Sequence, residues 1–97
     1  MNLGFIGTGK IASSVITGIC KSQIKFKQIT ISSRSKKIST SLKKRFKKIV
    51  VLKDNQAIVN KSNWVFLSVT PKVGKKIIKD LKFKVGQTIV SFISTIN

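Results

Sequence analysis

A strand, a glycine turn and the start of a helix follow one another near the beginning of the chain, in Asn2-Leu3-Gly4-Phe5-Ile6-Gly7-Thr8-Gly9-Lys10-Ile11-Ala12. Residues 2–6 predict a short buried strand, and Ile11, Val15 and Ile19 recur at a helical spacing. In the G-x-G-x-x-A motif between them, Gly7 permits a tight turn, Gly9 lets a diphosphate approach the backbone, and Ala12 lets the helix pack closely. The helix would direct its free N–H groups at the phosphates. Residues 6–12 therefore predict a dinucleotide-binding turn.

The rest of the chain alternates between strand and helix patterns. Further strands are predicted over residues 28–32, 49–52, 64–69 and 88–93. Between them, Ser35 could cap a second helix, Asp54 a short third helix, and Thr70-Pro71 opens a fourth. This alternation predicts an α/β fold, a Rossmann-like open doubly wound parallel sheet with strand order 3-2-1-4-5. The chain of 97 residues has room for one such domain, residues 1–97.

The end of the second predicted strand indicates which nicotinamide cofactor is bound. An NAD site usually has Asp or Glu there to bind the ribose 2′-hydroxyl. This chain has no acid at that point, and its candidate residues are Ser33, Arg34, Ser35 and Lys36. Hydroxyl, guanidinium and ammonium groups suit a 2′-phosphate. The sequence therefore favours NADPH over NADH, with a solvated basic face as the alternative reading of the lysines.

A third candidate segment ends the fourth predicted strand, in Ser68-Val69-Thr70-Pro71. Ligands of open α/β sheets bind beyond the carboxyl ends of the strands, where the strand order reverses. With the order 3-2-1-4-5 that crevice lies between strands 1 and 4. We expect this segment to face residues 7–12 across the cofactor, although Thr70-Pro71 could equally be a plain helix start.

The charge balance and residue types exclude several kinds of site. There are 20 lysines and arginines against two acidic residues, giving a net charge of +18, and no histidine. A histidine triad and a histidine-ligated metal site are excluded, no metal site is predicted, and no catalytic residue is assigned. The charge favours anionic partners, but an AT-rich coding sequence would also enrich lysine. A basic nucleic-acid-binding module built on residues 43–48 is the non-enzyme alternative, although no motif of specific nucleic-acid recognition accompanies it.

The sequence also predicts where in the cell the protein is found. The single cysteine, Cys20, excludes an internal disulfide and reads as a small core or helix-end residue. No apolar run approaches the ~18–20 residues that span a bilayer, and the start of the chain lacks the pattern of a secretory signal. We expect a cytoplasmic protein with no membrane partner.

Four segments together resemble the N-terminal domain of the pyrroline-5-carboxylate reductase family. They are residues 4–12, Ser33-Arg34-Ser35, Asp54-Asn55 and residues 65–71. The resemblance implies NAD(P)H-dependent reduction of a cyclic imine to proline, in proline biosynthesis. It implies that residues 6–11 line the pyrophosphate, residues 33–36 the adenosine 2′ end, Asn55 the adenosine ribose, and residues 68–71 the nicotinamide ribose. Lys10, Thr70 and residues 91–95 depart from the family pattern.

The resemblance covers only the cofactor half of such an enzyme. We therefore expect the family's C-terminal substrate and dimerisation domain to be absent, and this chain to have little or no activity alone. An imine or carbonyl substrate would be held mainly by that other domain, and a homo-oligomer is expected only with it. The motifs are shared with coenzyme F420-dependent NADP oxidoreductases and 3-hydroxyacid dehydrogenases, so another NADP-dependent reductase is the enzyme alternative.

Overall fold

Five parallel strands and four helices alternate along the described part of the chain. The computed structural model describes residues 1–7, 10–33, 36–69 and 71–91, and the backbone alone at 10, 11, 71 and 73. The strands are β1 (Asn2–Ile6), β2 (Gln28–Ser32), β3 (Ile49–Leu52), β4 (Trp64–Leu67) and β5 (Thr88–Ser91). The helices are α1 (Lys10–Lys21), α2 (Lys36–Arg45), α3 (Asn55–Lys61) and α4 (Pro71–Asp80). The sheet order β3-β2-β1-β4-β5 confirms the predicted topology.

The two faces of the sheet carry separate cores. On one face, Phe5, Ile31 and Phe66 pack with Ala12 and Ile16 of α1, and the Phe5 and Phe66 rings stack with centroids 4.5 Å apart. On the other face Ile6, Val65 and Leu67 pack against Ile58 and Val59 of α3. Strands buried on both faces explain why β1 and β4 read as nearly continuous apolar runs.

Helix α3 can pack closely against the first strand because Gly4 has no side chain. A Cβ at Gly4 would overlap the Ser62 hydroxyl and lie 2.8 Å from Cγ2 of Ile58. Ser62, which follows α3, is buried, and its hydroxyl donates to the Ile58 carbonyl at 2.6 Å. Gly4 therefore sets the distance between α3 and the sheet.

Several predicted boundaries are confirmed and one is wrong. Asp54 is the N-cap of α3, and its carboxylate accepts from the Gln56 N–H at 3.2 Å. The fourth strand ends at Leu67 and not at Val69, so that Ser68 and Val69 leave the sheet before α4. The Ser35 cap lies outside the described residues, as do positions 92 and 93 of the predicted fifth strand.

The edge strand β5 is the least covered part of the sheet. Ile89 of β5 is 41% exposed and Trp64 of neighbouring β4 is 39% exposed, whereas β1 is almost wholly buried.

No described helix has the length and apolar character needed to cross a bilayer.

Candidate dinucleotide-binding site

The turn after β1 is held against the end of β4. Gly7 has φ +87°, a left-handed conformation that glycine adopts without the steric cost of a side chain. A Cβ at Gly7 would overlap the Ser68 carbonyl oxygen and lie 2.6 Å from Cγ1 of Val69. The Ser68 N–H also donates to the Ile6 carbonyl at 2.9 Å. Two of the predicted segments therefore meet where the strand order reverses.

The same turn is tied to the strand on its other side. The Gly7 N–H donates to the Ser32 hydroxyl at 3.2 Å, and Ser32 is 4% exposed. One residue further on, the Ser33 N–H donates to the Leu52 carbonyl at 3.2 Å. These bonds fix the carboxyl ends of β1, β2 and β3 relative to one another, which rigid placement of a ligand requires.

A cleft of about 200 Å³ opens among these strand ends. It is smaller than the ~300–1,000 Å³ of typical small-molecule sites, so it would hold part of a dinucleotide. The described residues that line it are apolar and polar, and they come from β1, β2, α3 and α4 and from the turns after the first four strands: Ile6, Gly7, Ser32, Ser33, Lys53, Asn55, Val69 and Ile77.

Five of the predicted site residues, taken from four separate segments, line this cleft: Ile6, Gly7, Ser33, Asn55 and Val69. Their role in binding a cofactor stays a prediction. Three other predicted residues occupy different places. Ala12 is fully buried in the core beneath α1, Ser68 lies behind Gly7, and Lys36 begins α2 as an exposed residue that does not line the cleft.

The remaining predicted site residues cannot be placed. Thr8, Gly9, Arg34, Ser35 and Thr70 lie outside the described residues, and the side chains of Lys10, Ile11 and Pro71 are likewise not described. The predicted phosphate role of Gly9 and the predicted 2′-phosphate role of Arg34 therefore rest on the sequence.

Three lining residues were missed as site residues. Ser32 could have been chosen because it ends β2 beside the glycine turn. Lys53 follows Leu52 at the end of β3, and the carboxyl ends of parallel strands share one edge of the sheet. Ile77 belongs to the apolar face of α4, and no local pattern separates a core isoleucine from one at the edge of a cleft.

The electrostatics of the cleft favour an anionic ligand. Among the described residues that line the cleft, Lys53 is the one charged residue and none carries a carboxylate. The nearest acid along the chain, Asp54, is engaged as the cap of α3. The bare Gly7 turn, the serine hydroxyls and the lysine fit the ribose and phosphate groups of a dinucleotide.

Cys20 lies apart from this site. It is half-buried near the end of α1 and packs against the core that α1 covers. Burial raises the pKa of the Cys20 thiol, while Lys48 and Arg45 act in the opposite direction. The predicted reading as a core and helix-end residue is consistent with this position.

Comparison with known proteins supports the α/β fold and identifies the protein family. A 1-pyrroline-5-carboxylate reductase from Streptococcus pyogenes superimposes with a TM-score of 0.77 and 29% identity, over 100% of this chain and 35% of that one. This confirms the resemblance at the level of the domain. A diketoreductase acting on dicarbonyl compounds matches with a TM-score of 0.72 and 17% identity, over 99% of this chain and 42% of that one, which shows the fold alone.

The chain spans about a third of the length of the first of these enzymes. No curated protein is similar enough in sequence to count as a relative. A family model described as "NADP oxidoreductase coenzyme F420-dependent" matches residues 2–95, nearly the whole chain. The chain therefore belongs to the family of coenzyme F420-dependent NADP oxidoreductases, as a domain that binds a nicotinamide dinucleotide.

Proposed function

We propose that this chain is the NADP(H)-binding part of a reductase of the pyrroline-5-carboxylate type. The observation that carries the proposal is the contact between Gly7 and residues 68–69. The contact places main-chain atoms at the point where the strand order of the doubly wound sheet reverses. Folds of this kind bind dinucleotides at that point. The cleft beside it is lined by hydroxyls and a lysine, which suits ribose and phosphate groups.

The preference for NADPH is part of the proposal. Ser32 ends β2 and Ser33 follows it, where an NAD site would carry a carboxylate, and no acidic side chain is among the described residues that line the cleft. A carboxylate at this point would repel a 2′-phosphate, and its absence removes that repulsion. Ser33, Arg34, Ser35 and Lys36 are proposed to lie along the adenosine 2′ end.

The proposed reaction is reduction of a cyclic imine, and it draws on the likeness to the Streptococcus pyogenes enzyme over all of this chain. The bound cofactor would supply the hydride, while the protein supplies position and electrostatics. In this division of labour, Ile6, Val69 and Ile77 form the apolar part of the cleft. Ser68, Thr70 and Pro71 are proposed to lie along the nicotinamide ribose.

The substrate is proposed to be held mainly by a further domain, as is the contact between subunits. The chain corresponds to 35% of the matched reductase. We therefore expect the 97-residue chain alone to bind NADPH and to form little or no proline from pyrroline-5-carboxylate. Rapid proline formation by this chain would contradict that division. A reducing, cytoplasmic setting, consistent with the free Cys20 thiol, belongs to the same proposal.

Cofactor binding is tested by titrating the chain with NADPH and following nicotinamide fluorescence. Gly7→Ala should weaken binding at least tenfold, because its Cβ would overlap the Ser68 carbonyl in a backbone conformation that disfavours side chains. Gly18→Ala is the matched control, since nothing lies within 4 Å of a Cβ there. Circular dichroism separates lost binding from lost folding.

Unaltered NADPH affinity in a folded Gly7→Ala protein would contradict the site. Absence of NADPH and NADH binding by the unmodified chain would contradict the proposed function itself.

A second candidate is hydride exchange between NADP(H) and coenzyme F420. The family model that covers residues 2–95 favours it. The two candidates share the NADP(H) site and differ in the second reactant. NADPH oxidation by the protein, measured once with pyrroline-5-carboxylate and once with F420, distinguishes them.

A further inference from the structure

The residue after β3 brings a positive charge to the cleft. Lys53 directly follows Leu52, and Leu52 is paired in register with Ser32. The Leu52 carbonyl accepts from the Ser33 N–H, so the two strand ends are bonded to each other. Lys53 and Ser33 therefore stand side by side, and both line the cleft.

Nothing in the described part of the chain neutralises this charge. The Lys53 amine has no hydrogen-bond or ion-pair partner among those residues. By contrast, the amines of Lys43, Lys48 and Lys84 donate to the main-chain carbonyls of Ile49, Phe26 and Asn60. All four lysines are exposed, but those three amines are engaged within the fold, whereas the Lys53 amine is available to a ligand.

The position of Lys53 indicates which phosphate group of the cofactor its amine could contact. Its strand lies two places from β1 in the sheet order. With neighbouring strands ~4.8 Å apart, β3 is about 10 Å from β1, where the diphosphate is proposed to bind at Gly7. A charge at that distance, next to the Ser33 end of β2, lies on the adenosine side of the site. Lys36, the described lysine of the sequence-predicted set, does not line the cleft.

We propose that Lys53 binds the 2′-phosphate of NADP(H) and that it determines the preference for NADPH over NADH. This inference rests on the proposed function, because it requires a dinucleotide in the cleft. A lysine ammonium donates charge-assisted hydrogen bonds to a phosphate monoester, and these are stronger than bonds between neutral groups. The ribose 2′-hydroxyl of NADH offers no such charge.

The test measures the dissociation constants of NADPH and NADH for the unmodified chain and for Lys53→Gln. The substitution should weaken NADPH about tenfold, as expected for one charge-assisted hydrogen bond, and change NADH less than twofold. Lys53→Arg, which keeps the charge, should retain most of the NADPH preference. Lys79→Gln is the control for net charge. It lies in the last turn of α4, is not among the residues that line the cleft, and should leave both constants unchanged.

A second pair of ligands isolates the phosphate. Adenosine 2′,5′-bisphosphate should lose affinity in Lys53→Gln by the same factor as NADPH, and adenosine 5′-monophosphate should not. Equal losses for NADPH and NADH would overturn the inference, because Lys53 would then act on groups that both cofactors share. Unchanged NADPH affinity in Lys53→Gln would overturn it while leaving the proposed function intact. Failure of the unmodified chain to bind either dinucleotide would overturn both.

Discussion

The two ends of the sheet use their polar side chains differently. At the amino end, Asn63 accepts from the Asn2 N–H at 2.8 Å through its side chain, and its own backbone bonds to Asn2 and Thr88 join the starts of β1, β4 and β5. Gln87 donates to the Val59 and Ser62 carbonyls at 2.6 and 2.7 Å. At this end, side-chain amides hold the connections between helices and strands.

The carboxyl end is held mainly by its main chain. Ser68 and Ser33 are fixed there by backbone bonds to Ile6 and Leu52, and Ser32 is the side chain that supports the Gly7 turn. The Lys53 amine is left without a partner among the described residues. Side-chain amides at the amino end bond within the fold, whereas at the carboxyl end the Ser32 hydroxyl bonds to the Gly7 turn and the Lys53 amine has no partner among the described residues. Substitutions at the two ends should therefore have separable effects.

The largest expected effect on stability comes from crowding the contact between Gly4 of β1 and helix α3. Gly4→Ala should destabilise the domain by about 3 kcal/mol, because the new Cβ would overlap the Ser62 hydroxyl and crowd Ile58 in a packed core. Denaturant unfolding followed by circular dichroism measures the change. Gly18→Ala, in the open on α1, should instead stabilise by about 1 kcal/mol, as alanine does in a helix. Equal stability of the two variants would contradict the packing argument.

The substitution Gln87→Glu removes side-chain hydrogen bonds at the amino end of the sheet with little change in side-chain shape. The carboxylate cannot donate to the Val59 and Ser62 carbonyls, so about 2 kcal/mol of stability should be lost. NADPH affinity should stay within twofold, since Gln87 lies at the opposite end from the cleft. Gln23→Glu makes the same change at an exposed position between α1 and β2 and should cost little. A large loss of affinity in Gln87→Glu without unfolding would show that the two ends are coupled.

The smallest expected effect is at the carboxyl end, in Ser32→Ala. Removing the hydroxyl leaves the Gly7 N–H without its acceptor, which should cost about 1 kcal/mol of stability. It should also weaken NADPH binding, because the turn loses its support. Ser39→Ala is the control: Ser39 is equally buried, but its hydroxyl bonds within α2 and does not line the cleft. If Ser39→Ala lowered NADPH affinity as much as Ser32→Ala, the carboxyl end would have no special role.

Local sequence determined the elements and their order. The alternation of strand and helix patterns predicted five strands, four helices and the order 3-2-1-4-5, because buried parallel strands and amphipathic helices have distinct periods. Asp54 was recognisable as a helix cap, and Gly7 as a turn, since both roles depend on neighbouring residues alone. The end of β4 was placed two residues too late, because the apolar Val69 follows the strand after a single polar residue.

Tertiary structure decided which side chains share the cleft. Ser33 was expected there because it follows the second strand, and Asn55 because of the resemblance. Lys53 was overlooked although it follows the third strand, because nothing local distinguishes it from the many other lysines. Lys36 has the same charge and was favoured by its sequence position, yet it begins α2 outside the cleft lining. Periodicity acts over a few residues, whereas the neighbours of a strand end are set by pairing between segments far apart in the chain. That is why the sequence alone determined the fold and the turn at Gly7, and why only the assembled sheet showed which lysine lines the cleft.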